Sequence, residues 1–405
     1  MKKILITAYD INPYKGSESA TGWNFVWQSA QSHQVTAVTR RNNREHIEKY
    51  ISENNLDISN LQFIYYDLPY FLRFWKKGGR GSLLYFYLWQ MAIPHVVWSD
   101  RVKYDIVHSL NFHSDWTPSF LWVLGRPFVW GPINHNEPIP VDYIKKSFGF
   151  FAYTKDRLKL VIKILFWNVD PFLFICKNRA KVILCGNISV AKRLRIKDAK
   201  AVIFSQVGVD PPSLFDDTKD TSLFTVMTAG RMIDIKSFDL AIRAFAKFLT
   251  STGVNSQKIK LLILGQGELI QDLKNLSRSL GVENNIDFAG WIDKGLMPKY
   301  YSKADVFLFT SHEGAGMVVA EAQSYGVPVV CFNNYGPGET VTNSSAVKIN
   351  YKDYDTSVTE LCEALKKLYM DREYLKSLSL GALELSKTQT WASKGKAMTE
   401  VYESI

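Results

Sequence analysis

The residues with the most chemistry to offer lie in one ordered stretch, Ala304 to Val330, which reads as a buried strand, a glycine-rich turn, a helix and a second strand. The turn, Glu313-Gly314-Ala315-Gly316, lets backbone N–H groups point at a ligand from a helix N-terminus, where the dipole favours an anion; Met317 and Val318 open that helix. Glu321 follows within the helix, eight positions after Glu313, and a carboxylate there is placed to accept two hydrogen bonds from vicinal hydroxyls such as those of ribose. Taken singly, Glu321 reads as a solvated helix residue and the glycines as a tight turn; the ordered set reads as a ligand site. Two cations, Arg231 and Lys236, follow the strand end Ala229-Gly230. Arginine grips phosphate oxygens in a planar fork and lysine adds a point charge, although either alone would pass for a surface charge that aids solubility. In the first half, His108 ends a buried apolar run and reads as structural, whereas His113 lies past the strand end on a loop with Asp115.

These groups need elements to position them. Short apolar runs at 3–8, 34–39, 62–66, 105–109, 128–131 and 182–185 alternate with longer helical patterns, the βαβ rhythm of a parallel sheet. After a polar, proline-bearing linker at 210–220 the rhythm restarts at 224–229, 260–265, 286–289, 306–310, 329–332 and 346–349. The expected fold class is α/β: two doubly wound, Rossmann-like domains facing a cleft, with ligands at the carboxyl ends of the strands. The expected boundaries are 1–208 for the first domain and 209–390 for the second.

At 405 residues and 46% apolar, the chain is too long for one compact core and too apolar for disorder. Its cysteines, Cys176, Cys185, Cys331 and Cys362, show no CxxC or ligand-like spacing, so a reduced interior is expected in place of a disulfide framework or zinc site. The opening MKKILITAYD has only a short apolar run before an acid, and no signal peptide is expected. Residues 1–200 carry 28 Lys+Arg against 15 Asp+Glu, and 28 of the 55 aromatics fall between Leu61 and Ile175. A basic, aromatic half suits a polyanion or a membrane surface, and with no RNP-like, zinc-finger or helix-turn-helix signature no nucleic-acid partner is expected.

Two segments sharpen the membrane reading. Gly81–Ser99 has 19 residues without a formal charge, but Gln90, Pro94 and His95 interrupt it, and the flanking strands belong to one sheet, so a buried or surface-docked helix is expected instead of a span. Lys155, Lys159 and Lys163 recur at helical spacing beside a broad apolar face ending at Trp167, and 72–80 repeats the chemistry. An anionic membrane surface is therefore the expected partner of the first domain.

The stretch around Glu313 and Glu321 resembles the Glu-x7-Glu signature of the retaining nucleotide-sugar glycosyltransferases of family 4, also called group 1. Gly230-Arg231 with Lys236 resembles that family's diphosphate-binding pair, Leu264-Gly265-Gln266-Gly267 its next strand end, and Phe288-Ala289-Gly290-Trp291 its base-contacting loop. Gly16-Ser17-Glu18, Gly22-Trp23-Asn24, Val129-Trp130-Gly131-Pro132 and Gln206-Val207-Gly208-Val209-Asp210 are similar to segments of one bacterial subfamily, so the resemblance covers most of the chain. It implies the GT-B fold, with 391–405 returning to the first domain. It implies transfer of a sugar, with retention, from a nucleoside diphosphate donor to a glycan or lipid-linked acceptor in bacterial surface polysaccharide synthesis, at the cytoplasmic face of the cell membrane and without cofactor or metal.

By residue, the resemblance assigns Arg231 and Lys236 to the departing diphosphate, Gly16 to a backbone N–H across the cleft, Glu321 to ribose and Glu313 to sugar hydroxyls at the reacting centre. Gly290, Gly314, Ala315, Gly316, Met317 and Val318 line the donor, His113 sits near donor sugar and acceptor, and Glu18 and Asp115 belong to the acceptor side. Two positions depart from the pattern: Ala315 stands where an aromatic is usual, opening space near the transferred sugar, and Ser237 stands where a glycine follows the lysine. A serine can serve near a helix start. An NAD-dependent oxidoreductase would need Gly-x-Gly-x-x-Gly after the first strand, where the chain reads Asp10 to Gly16 without it. The remaining alternatives are a nucleotide-sugar epimerase of the same architecture and a non-catalytic sugar-nucleotide-binding protein at the membrane.

Overall fold

The computed structural model describes residues 1–78, 81–112, 114–210, 222–251 and 254–405. The chain divides into two compact units, one formed by Met1–His135, Val161–Gly208 and Trp391–Ile405, the other by Asn136–Leu160 and Val209–Thr390. The boundaries read from sequence left 136–160 in the first domain; the structure groups it with the second, because Ile139, Tyr143 and Ile144 are buried in that unit's core. All of the expected linker except Asp210 lies outside the described residues.

In the first unit, β1 (Lys3–Thr7), β2 (Gln34–Thr39), β3 (Leu61–Tyr65), β4 (Ile106–Ser109), β5 (Phe128–Ile133), β6 (Val182–Cys185) and β7 (Ala201–Ile203) form a parallel sheet in the order β3-β2-β1-β4-β5-β6-β7. Uninterrupted apolar runs such as Val182-Ile-Leu-Cys185 suit strands covered on both faces, and β6 is buried throughout. β7 is three residues long, partly exposed and at the sheet edge, and has no such run to announce it. The helix Trp391–Glu403 packs in this unit on the helix Ser17–Ala30: Trp391 meets Phe25 edge-on at 5.5 Å, and a Cβ added to Gly395 would stand 2.6 Å from the Gln28 Cβ. Tyr402 closes the contact, its hydroxyl 2.6 Å from His108 Nδ1, while His108 Nε2 lies 2.6 Å from the Gly131 carbonyl. Burial holds His108 down to about 4, so it is the neutral structural histidine expected.

The uncharged run at 81–99 forms the helix Ser82–Val96, with Tyr85, Phe86, Trp89 and Ile93 buried. Two of its polar side chains are tied within the unit: the Tyr85 hydroxyl donates to Asp67 at 2.7 Å and the Trp89 indole N–H to the Tyr66 carbonyl at 3.0 Å. Among the described residues no helix is long and apolar enough to cross a membrane.

In the second unit, β8 (Phe224–Ala229), β9 (Ile259–Leu264), β10 (Ile286–Gly290), β11 (Val306–Phe309), β12 (Val329–Phe332) and β13 (Ala346–Ile349) form a second parallel sheet in the order β10-β9-β8-β11-β12-β13. The helix Phe238–Leu249 buries Leu240, Ile242, Phe245 and Phe248 in a core that also holds Leu361, Leu365 and Leu368 of the helix Tyr354–Met370. Truncating Phe245 to alanine there would cost about 3–5 kcal/mol. In each sheet the strand order reverses once, between β1 and β4 and between β8 and β11. Loops leaving the carboxyl ends of those strands diverge to opposite faces and leave room for a ligand.

Candidate active site

The second unit places Arg231, Lys236 and Glu313 at its switch point. β8 ends at Ala229, and Gly230 (φ 151°) turns the chain so that the Lys236 side chain runs over it, 3.4 Å from where a Cβ would stand. β9 approaches closely there: a Cβ on Gly265 would fall 2.0 Å from the Gly230 carbonyl oxygen, so only glycine fits. The loop after β11 is stitched to this turn. The His312 N–H donates to the Ile235 carbonyl at 2.9 Å, and the Thr310 hydroxyl donates to the Ser237 carbonyl at 2.8 Å. The stitching brings Lys236 Nζ to 2.6 Å from Glu313 Oε1, with side chains 15% and 18% exposed. Burial holds the Glu313 carboxyl above its ordinary value, against the opposing pull of Lys236. Arg231 is exposed at the end of β8.

Ser237 occupies the left-handed region (φ 44°, ψ 50°), which explains why glycine suits this position. It does not cap the following helix, as a serine there was expected to; its hydroxyl donates to the Asp234 carbonyl at 3.3 Å.

Gly316 precedes the helix Met317–Ser324 and has no side-chain cap, so the first N–H groups of the helix have no acceptor within it. The Glu313 N–H donates to Ser311 Oγ at 3.3 Å and the Gly314 N–H to Asn136 Oδ1 at 2.8 Å. Behind the turn, a Cβ on Gly336 would stand 2.2 Å from the Glu313 carbonyl oxygen, and Asn334 accepts the Gly336 and Gly338 N–H groups. Further along the helix, Glu321 Oε2 accepts the Tyr301 hydroxyl at 2.9 Å, and the Tyr301 ring stacks on Tyr325 at 5.2 Å. Burial raises the Glu321 carboxyl, with Tyr301 pulling the other way. Gly290 (φ 73°) accepts the Gly265 N–H at 2.7 Å and turns the chain into Trp291, 75% exposed.

Sequence reasoning missed three residues here. Asn334 and Gly336 lie in Asn333-Asn-Tyr-Gly-Pro-Gly338, a turn signal after a strand that would have drawn attention to them. His312 is buried, stacks on Phe332 at 5.3 Å and is held down to about 3 by that burial. No local pattern distinguishes it.

In the first unit, Gly16 is exposed at the start of the helix Ser17–Ala30. Glu18 accepts the Phe112 N–H at 3.2 Å and the Gln206 amide at 3.1 Å, and burial raises its carboxyl against those bonds. His113 lies outside the described residues. Asp115 is not on an acceptor surface: it is fully buried, 2.9 Å from His135 Nδ1 and 3.4 Å from Arg193 Nε, and Arg193 lies over the Trp167 ring. A carboxylate so enclosed fixes its loop, which corrects the expectation from sequence.

Two doubly wound parallel sheets, with paired charges at the switch point of the second, define a GT-B fold. Residues 212–383 match the family described as Glycosyl transferases group 1. The chain is 28% identical over 167 residues to the GDP-mannose-dependent alpha-(1-6)-phosphatidylinositol monomannoside mannosyltransferase of Mycobacterium tuberculosis, covering 39% of this chain and 41% of that protein. It is 34% identical over 113 residues to the lipopolysaccharide core biosynthesis glycosyltransferase LpsE of Rhizobium meliloti, covering 28% and 30%. The match thus spans about two fifths or less of these relatives' length. Among solved structures, Anabaena Alr3699/HepE in complex with UDP and glucose superposes with a TM-score of 0.64 at 14% identity over the full length of both chains. At that identity the likeness shows the fold.

Proposed function

We propose that the chain moves a sugar, with retention of configuration, from a nucleoside diphosphate donor to a glycan or lipid-linked acceptor in bacterial surface polysaccharide synthesis. The observation that carries this reading is the Lys236–Glu313 pair, 2.6 Å apart at the ends of β8 and β11, with Arg231 at the same strand end and Glu321 one helix segment beyond. Breaking the bond to the anomeric carbon loads negative charge on the diphosphate, and cations with N–H donors must receive it. Arg231 and Lys236 supply the cations, so the reading needs no divalent ion; Ala315 and Gly316 of the turn, with Met317 and Val318, supply N–H groups, as does Gly16, while the Gly314 N–H is taken by Asn136. Glu321, with one oxygen held by Tyr301, keeps the other for ribose. Glu313 meets hydroxyls of the transferred sugar. The acceptor proton passes to the departing phosphate, so no separate general base is required, and His113 and Glu18 serve the acceptor side.

The names of the relatives support a glycolipid or lipopolysaccharide acceptor. Exposed apolar side chains in the first unit support docking on the inner face of an anionic membrane: Tyr70, Phe71 and Phe74 stand out beside Arg73, Lys76 and Lys77. This patch carries the proposal better than the lysine helix read from sequence, because Lys155 and Lys159 belong to the second unit and only Lys163 to the first. Release of nucleoside diphosphate from a panel of UDP-, GDP- and ADP-sugars tests the transfer reading. Binding of a nucleotide without release from any sugar, with an oligosaccharide or glycolipid acceptor mixture present, favours the non-catalytic alternative.

A further inference from the structure

The segment 136–160 was expected in the other half of the molecule, and its contacts in the second unit converge on Glu313. Its helix runs from Val141 and is broken at Gly149 (φ 80°). Tyr143, 1% exposed, inserts into a socket of rings: it meets His312 edge-on at 5.4 Å, Phe332 at 5.7 Å and Tyr351 at 5.5 Å, and its hydroxyl lies 2.6 Å from Ser357 Oγ. Asp142 accepts the Tyr354 N–H at 2.7 Å and Lys146 pairs with Asp355 at 2.6 Å, so the segment is fastened on both sides of Tyr143. Seven residues upstream, Asn136 Oδ1 accepts the Gly314 N–H at 2.8 Å. The strap therefore touches the residue before Glu313 through Tyr143 and the residue after it through Asn136.

We propose that this strap positions Glu313 for transfer: Tyr143 fixes His312 and Asn136 holds the Gly314 amide, so the carboxylate is presented at one place and angle. The role rests on the transferase reading above. Asn136 and Tyr143 are positioning residues, and neither is assigned contact with donor or acceptor. A carboxylate whose backbone is held on both flanks loses little freedom at the transition state, which is where positioning yields rate. Firm anchoring by a fully buried ring distinguishes a brace from a side chain that the donor would displace. A displaced side chain would compete with the donor, and its removal would tighten binding.

Asn136 is exposed, so its variants keep the core intact. In Asn136→Ala, kcat is expected to fall about three- to tenfold, the worth of one neutral hydrogen bond, with affinity for UDP or GDP unchanged. Amide hydrogen exchange in the peptide spanning 312–318 should quicken. Asn136→Asp keeps an acceptor oxygen, so kcat and exchange protection should return towards the parent while the added charge raises KM for the anionic donor. Unchanged exchange in Asn136→Ala, tighter nucleotide binding, or loss of nucleotide affinity in step with kcat would each overturn the proposal. If the parent chain releases nucleotide from no donor, the transferase reading fails, and with it the role in transfer; the exchange comparison still decides whether Asn136 holds the turn.

Discussion

Replacing Lys236 by methionine, which keeps most of the length of the side chain and removes its charge, leaves Glu313 in its partly dehydrated position without a partner. Breaking a fully buried pair costs about 3–5 kcal/mol; with side chains 15% and 18% exposed, water recovers part of that, and about 1–3 kcal/mol is expected. The loss should depend on pH. Burial raises the Glu313 carboxyl, so its folded form binds a proton more tightly than its unfolded form, and the group's contribution to stability falls as pH rises from the ordinary carboxylate value through the raised one. In the parent Lys236 limits that rise, so Lys236→Met should widen the window upwards. The variant should be most destabilised above it, near pH 8, and should approach the parent as pH falls below the ordinary value and Glu313 is neutral in both. Glu313→Gln in the same chain should restore most of the loss, since two neutral groups of matched size leave no charge unpaired. Urea unfolding of the parent, both single variants and the double at pH 8 and about pH 4 reads this directly. A loss from Lys236→Met that is equal at both pH values, or equal with and without Glu313, would refute the coupling.

Arg231→Ala, with its fold intact by circular dichroism, should lower turnover about 10² to 10³-fold, the loss typical of one transition-state donor; parental turnover would remove Arg231 from the site. Glu321→Ala should weaken binding of the free nucleoside diphosphate by calorimetry, whereas Glu313→Ala should spare it and depress transfer; equal losses of affinity would contradict the two roles. Sedimentation with anionic vesicles should be salt-sensitive and should drop about tenfold or more in Phe71→Ser/Phe74→Ser, by the apolar area removed; binding that ignores both salt and this change would leave a soluble acceptor. Ser237→Gly should raise stability by up to about 1 kcal/mol by relieving the left-handed backbone at φ 44°, and a lower unfolding midpoint would show that the hydroxyl's bond to Asp234 outweighs the strain.

The two sheets were legible because parallel strands covered on both faces are spelled as uninterrupted apolar runs. β7 was not: a three-residue edge strand, partly exposed, needs no such run. Residues 136–160 were misplaced for a related reason. Their partners, His312, Phe332, Tyr351 and Ser357, lie roughly 170 to 220 positions further along the chain, and a tyrosine that will be buried looks in sequence like one that will not. Asp115 was misread by the same route. The resemblance implied a place on the acceptor side, while His135 and Arg193, which enclose it, are supplied by distant segments.

The candidate donor residues escaped this problem because of where a doubly wound sheet puts its chemistry. A strand, the turn after it and the helix that returns are consecutive in sequence, so Glu313, the glycines and Glu321 sit in one local pattern, as do Gly230, Arg231 and Lys236. What a local pattern cannot state is the register between two such units. Here that register is set by His312 donating to Ile235 and Thr310 to Ser237, and it converts two separately legible motifs into one ion pair. The proposed acceptor side has no equivalent advantage. Glu18 is tied to Phe112 and to Gln206, residues from three separate stretches of the chain, so its carboxylate is oriented only once the first sheet has assembled. A donor site carried by consecutive segments and an acceptor side assembled from dispersed loops would let acceptor preference change by loop substitution while the donor chemistry stays fixed.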